Sequence, residues 1–128
     1  FPQNVIVGAD AIFTASGIFV FRQTYPGIHR HPFYPGTGAA NEIGAGEGEG
    51  TTLNLPLPAG CGDEEYREAF QEVVAASREF QPELVVVSAG FDAHRADPLG
   101  GMRVTEEGFA ALTRDIIDLS RGAPVLSL

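Results

Sequence analysis

The sequence predicts an α/β protein with a parallel sheet and right-handed βαβ crossovers, and three observations carry that reading. Apolar residues recur at helical spacing over 63–80 and again from about 106 to 121. Short alternating or β-branched runs stand before, between and after these segments, at 51–57, 84–88 and 124–128. Glycine or proline punctuates each junction, so the order reads strand, helix, strand, helix, strand.

Each element has a local cause. Asn4 to Val7 and Ile18 to Arg22 are strand candidates, and Gln23 to Gly50 is so rich in Gly and Pro that it reads as loop. From Thr51 to Leu57, Leu53, Leu55 and Leu57 alternate, while Pro56 limits the pairing of that strand. Over Asp63 to Phe80, carboxylates at 63, 64 and 65 favour the positive end of a helix dipole. Tyr66, Phe70, Val73 and Val74 then make one apolar face, and Gln81-Pro82 ends the helix. Leu84 to Ser88 is β-branched, like a parallel strand covered on both faces. A loop from Ala89 to Val104 leads to a helix from Glu106 to Arg121, with Thr105 as N-cap and Val104 stapled onto Phe109. Gly122 stands where a helix-ending glycine belongs, and Pro124 opens the last strand.

Length and composition bound the function. With 128 residues, 44% hydrophobic and 20% charged, the chain suits one packed domain. Eight Lys and Arg against 17 Asp and Glu give a net charge of −9, which excludes a domain-wide basic footprint for nucleic acid. No apolar run approaches the ~20 residues of a membrane helix. The single Cys61 excludes an intrachain disulfide and suits a reducing, cytoplasmic setting. The chain opens at Phe1, its only Met is Met102, and the last strand breaks off at Leu128, so both ends read as cut and 1–128 reads as one partial domain. Strands 84–88 and 124–128 should then leave apolar surface open, and a homo-oligomer is expected.

In open α/β sheets ligands gather beyond the carboxyl ends of the strands, which directs attention to Ala89–Gly101. Asp92 and His94, at i and i+2, would share one side of an extended segment as a metal-binding pair; alternatively Asp92 caps loop amides beside an exposed His. His29 and His31 form a second such pair, either metal-binding or solvated. Gly44 to Gly50 lacks the spacing of a phosphate loop, and Glu47 and Glu49 would repel phosphate, so it reads as a turn. Cys61 precedes a helix start, where the dipole can lower a thiol's pKa, but no His adjoins it to activate a nucleophile.

Two long blocks carry a resemblance. Ser88-Ala-Gly-Phe-Asp-Ala-His-Arg-Ala-Asp-Pro-Leu-Gly-Gly101, with Val104-Thr-Glu-Glu-Gly-Phe109, is one. His31-Pro-Phe-Tyr-Pro-Gly-Thr-Gly-Ala-Ala-Asn-Glu-Ile-Gly44, with Gly48-Glu-Gly-Thr-Thr-Leu-Asn-Leu-Pro-Leu57, is the other. They resemble the zinc-dependent histone deacetylase superfamily, in its bacterial deacetylase, acetoin-utilisation and acetylpolyamine amidohydrolase branch. The resemblance implies part of an arginase/deacetylase-type fold, a zinc cofactor, Asp92 as a metal ligand, and Tyr34 and Leu99 along the acyl channel. In the family the metal polarises the acetyl carbonyl and activates water, a His pair moves protons, and a Tyr stabilises the oxyanion. The sequence departs from this pattern: Asn4 to Asp10 holds no His, the tandem His pair is absent, and the family's Tyr falls beyond Leu128.

Three functions follow. One is a deacetylase-like hydrolase of small acylated amines or related esters, inactive or altered in this chain. The second is a non-catalytic, self-associating α/β module. The third is a small hydrolase whose metal site assembles at an oligomer interface from Asp92, His94, His29 or His31, with Asp10 and Asp97 as further candidate ligands.

Overall fold

Residues 4–8, 22–30 and 39–128 are described in the computed structural model. They form β1 (Asn4–Gly8), β2 (Arg22–Arg30), β3 (Thr52–Leu57), α1 (Asp63–Phe80), β4 (Leu84–Val87), α2 (Glu106–Ser120) and β5 (Val125–Ser127). The strands make one sheet in the order β3-β2-β1-β4-β5. Every pairing is parallel. A parallel α/β architecture is thus what the alternation of strands and helices foretells.

Periodicity sorts the side chains. Leu53, Leu55 and Leu57 of β3 and Val85 and Val87 of β4 meet Ala69, Phe70, Val73 and Val74 of α1 and Leu112, Ile116 and Leu119 of α2. Because one cluster joins both helices to both strands, α1 and α2 cover the same face of the sheet. Val85 is 3% exposed within this core. Leu84 and Val86 alternate to the opposite face and are half-buried, so cover on both faces is not seen among the described residues.

One expectation is corrected outright. The segment from Gln23 toward Gly50 does not stay loop: β2 runs to Arg30, through Pro26 and Gly27. Its first half pairs with β1, Asn4 to Ile6 against Arg22 to Thr24. Its second half pairs with β3, Tyr25 to Arg30 against Thr52 to Leu57. The β1 register ends at Thr24, so at Pro26 the backbone faces β3 alone, and the missing N–H is tolerated as at a sheet edge. Of the proposed strand Ile18–Arg22, only Arg22 is described. Pro56 sits in β3, at an edge of the described sheet.

A second correction concerns open surfaces. β4 is an inner strand, paired with β1 on one side and β5 on the other, so it offers no free edge. Among the described residues β5 lies at an edge of the sheet, and Val125, Leu126 and Leu128 are exposed there. The Gly44–Gly50 stretch is a turn, containing a 3-10 helix at Gly46–Gly48. Among the described residues no helix is long and apolar enough to cross a membrane.

Strand order also locates the site. β2 and β3 step away from β1 on one side, and β4 and β5 on the other, so the order reverses between β1 and β4. In open α/β sheets ligands bind beyond the carboxyl ends at such a reversal, and the loop after β4 lies beside it.

Candidate functional site

The loop after β4 is folded by its own backbone. The Phe91 carbonyl accepts from His94 N–H at 3.1 Å and the His94 carbonyl from Asp97 N–H at 2.9 Å, making two successive turns. The Ala93 carbonyl then accepts from Val104 N–H at 3.1 Å, and the Val104 carbonyl from Arg95 N–H at 2.9 Å, so the loop returns on itself. Gly60 N–H donates to the Gly101 carbonyl and Arg103 N–H to the Cys61 carbonyl, tying the loop to the segment before α1. Beneath it Cys61, Tyr66, Met102 and Val104 form a second apolar cluster that Ala93 and Phe109 extend. Val104 is 0% exposed, and with Phe109 packed against this cluster the predicted staple at the start of α2 is present.

Gly100 fixes how closely the loop's two halves approach. A Cβ there would run into the Asp92 carbonyl oxygen and come within 2.8 Å of the carbonyl carbon. Asp97 holds the same turn from the other side: its Oδ1 accepts from Leu99 N–H at 2.9 Å and Gly100 N–H at 2.7 Å. Those amides, Gly100 first and then Leu99, hold the Asp97 carboxyl below its ordinary pKa. Asp97 is therefore committed to the turn that presents Leu99, which is 77% exposed. Phe91, 68% exposed, lies 5.3 Å in ring-centroid distance from Phe109.

Asp92 and His94 differ in their commitments. The span from Phe91 to His94 is a turn rather than an extended segment, so the i, i+2 spacing does not by itself place both side chains on one side. His94 stacks on Phe109, with ring centroids 6.2 Å apart. Its Nδ1 accepts from Ala96 N–H at 3.2 Å, and its Nε2 faces Glu106 Oε2 at 3.5 Å. With Nδ1 as the acceptor, a hydrogen on Nε2 directed at Glu106 satisfies both contacts. Glu106 also accepts from Arg95 at 3.3 Å. Its carboxyl is held below its usual range by its own backbone N–H first and by His94 next. Asp92 is exposed, and its carboxylate accepts no hydrogen bond among the described residues. The alternative that it caps loop amides falls instead to Asp97.

The remaining candidates are placed as follows. His29 lies in β2, in register with Pro56. Tyr34, His31 and Asp10 lie outside the described residues. Cys61 is buried, and burial first, then the charge of Glu65, raises its thiol pKa, the reverse of a lowering by the helix start. Sequence reasoning assigned Asp63 only to the dipole of α1, but its Oδ1 accepts from Thr105 N–H at 2.7 Å and its Oδ2 from Thr105 Oγ1 at 2.6 Å. Thr105 in turn caps α2, its Oγ1 accepting from Gly108 N–H at 3.1 Å. No local signal announces a contact across 42 positions.

Zinc would need several donors together. Among the described residues no group of three His, Cys, Asp or Glu is placed to hold a metal ion. The loop after β4 supplies one carboxylate without a hydrogen bond among the described residues, Asp92, and these residues do not by themselves fit a complete zinc site.

An open parallel sheet whose strand order reverses between β1 and β4, with an acid-bearing loop beside that reversal, defines an α/β domain of the open-sheet class. The family model for the histone deacetylase domain matches residues 9–128, and the chain belongs to that family. It is 42% identical over 115 residues to histone deacetylase 14, chloroplastic, of Arabidopsis thaliana, covering 89% of this chain and 26% of that protein. The crystal structure of the HDA15 HD domain matches with a TM-score of 0.82 at 39% identity, over 99% of this chain and 39% of that one. The acetylpolyamine aminohydrolase of Burkholderia pseudomallei matches with a TM-score of 0.82 at 34% identity, over 98% and 39%. The chain spans about a quarter of the length of the first curated relatives, 26% and 24%.

Proposed function

We propose that this chain is the part of a zinc-dependent deacetylase-family hydrolase that supplies one metal ligand, Asp92, and one wall of the acyl-binding channel, Leu99. The substrate class is a small acetylated amine or a related acyl ester, and the family resemblance implies Tyr34 for the same channel. The observation that carries the reading is a contrast in commitment. Asp63, Asp97 and Glu106 all spend their carboxylates on backbone or side-chain donors, whereas Asp92, beyond the carboxyl end of β4, spends its own on none among the described residues. A carboxylate left open on a loop held so firmly is arranged for something outside the loop.

One carboxylate cannot hold zinc in a closed geometry. His94 could join as a second ligand only by giving up its contact with Glu106 or with Ala96 N–H. This chain alone turns over acetyl-lysine negligibly, since a positioned base and an oxyanion donor are each worth roughly 10²–10⁴ in rate. Elemental analysis of the purified chain and of Asp92→Ala tests the reading: bound zinc that disappears with the substitution supports it. Zinc that survives Asp92→Ala overturns the ligand assignment, and chelator-sensitive turnover of an acetyl-lysine peptide overturns the inactivity.

The exposed edge at β5 favours a second reading, self-association of the module through that strand. Light scattering at micromolar concentration separates the two, because a monodisperse monomer removes the self-associating module.

A further inference from the structure

We infer that Asp63, at the first turn of α1, is a positioning residue for the loop that carries Asp92. The inference rests on the reading of Asp92 as the functional carboxylate of that loop, and it concerns how the loop is held.

The path is continuous. Asp63 Oδ1 accepts from Thr105 N–H and Oδ2 from Thr105 Oγ1, at 2.7 and 2.6 Å. Thr105 marks where the 89–104 loop ends and α2 begins. One residue back, Val104 exchanges backbone hydrogen bonds with Ala93 and Arg95, the residues that follow Asp92. Two residues back, Arg103 bonds the Cys61 carbonyl and bridges Gly62, beside the start of α1. The position of Asp92 is thus referred, through two short ladders, to the carboxylate of Asp63.

The chemistry demands this residue type. Two donors of one residue meet two oxygens, so an amide in place of the carboxylate would turn an N–H₂ group toward one of them. A glutamate would carry its oxygens one carbon too far. Gly108 leaves the space: a Cβ there would collide with Asp63 Oδ1 and lie 2.5 Å from its Cγ. The carboxylate also sits at the N-termini of both α1 and α2, where negative charge is favoured twice over.

Site-resolved amide hydrogen exchange on the full chain tests this. The reporters are the amides of Arg95 and Val104, which do not touch Asp63, set against Val85 and Leu128 in the β4–β5 pairing. Asp63→Asn should speed exchange at Arg95 and Val104 by about tenfold while the β4–β5 amides change by no more than about threefold. Thr105→Ser should keep the parent pattern, and Thr105→Val, which loses the hydroxyl, should reproduce that of Asp63→Asn. If Asp63→Asn does not fold, the Thr105→Val and Thr105→Ser pair decides on the same amides. Exchange that rises equally everywhere, unchanged exchange at Arg95 and Val104, or failure of Asp63→Asn and Thr105→Val alike to fold would make Asp63 a general stabiliser and overturn the inference. Zinc content of Asp92→Ala is a separate measurement, so loss of the Asp92 reading leaves the exchange result standing.

Discussion

Gly100→Ala adds a single methyl group where the loop's two halves touch. The added carbon would meet the Asp92 carbonyl oxygen, with the carbonyl carbon at 2.8 Å and Asp97 Oδ1 at 3.4 Å. The obstacle is the Asp92 backbone, which cannot swing aside as a side chain can, so relief requires the turn at Asp92 or the turn from Asp97 to Gly100 to move. Overpacking of this kind costs about 1–3 kcal/mol. Gly100 is not among the glycines with positive φ, so alanine incurs no left-handed penalty and recovers about 0.4–1 kcal/mol by restricting the unfolded chain. Taken from the middle of both ranges, the net loss is about 1–2 kcal/mol. For 128 residues the unfolding entropy is about 0.27 kcal/mol/K, so the melting midpoint should fall by about 4–7 °C. Thermal unfolding followed by far-ultraviolet circular dichroism reads this directly. Gly48→Ala is the control: its methyl would meet only Thr51 Oγ1 at 3.5 Å, an ordinary contact, and the midpoint should hold or rise slightly. A Gly100→Ala chain melting at or above the parent would refute the close approach, and with it the claim that Gly100 sets the position of Asp92.

Four further outcomes follow from the same contacts. Asp63 has its carboxyl pKa lowered from 3.8, by the Thr105 hydroxyl first and the Thr105 amide second, so its contribution is present above that unfolded value and lost as pH falls through the lower folded one. Urea midpoints of the parent and Asp63→Asn should therefore differ at pH 6 and converge below about pH 3.8, and parallel curves would contradict the contact. Asp92→Ala should leave the melting midpoint within about 2 °C of the parent, because no described group loses a partner. Val104→Ala, at a fully buried position, should cost about 2 kcal/mol by chemical denaturation. The Cys61 thiol, buried and raised in pKa, should react with a soluble disulfide reagent at pH 8 far more slowly in the native chain than in urea.

The loop itself was legible to different depths. Asp92 stood out because it follows a β-branched strand in a block of family resemblance. His94 stood out by spacing, but spacing is informative only where the backbone is extended, and residues 91 to 94 turn. Asp97 offers itself in the sequence as a possible ligand, but an Asp just before Pro98 and two residues ahead of Leu99 is also a turn-capping pattern, and the structure shows it capping. Asp63 was invisible in this role, since nothing near it in sequence names Thr105 as its partner.

The same division runs through the whole fold. Helix α1 spans Asp63–Phe80 as its apolar period, acidic start and following Pro82 foretell, and α2 opens after the Thr105 cap that the sequence marks. These are interactions among residues at most a few positions apart, so the sequence by itself determines them. Strand β2 is the counterexample: Tyr25-Pro26-Gly27 has poor strand character, yet it is a strand because β3 pairs with it while β1 holds the residues just before it. The order β3-β2-β1-β4-β5, the burial of Cys61 and the clasp between Asp63 and Thr105 likewise belong to the tertiary structure alone. Each depends on which distant segments the chain brings together, and that choice is made by shared burial and hydrogen bonding across the sheet, quantities that no local window of sequence contains.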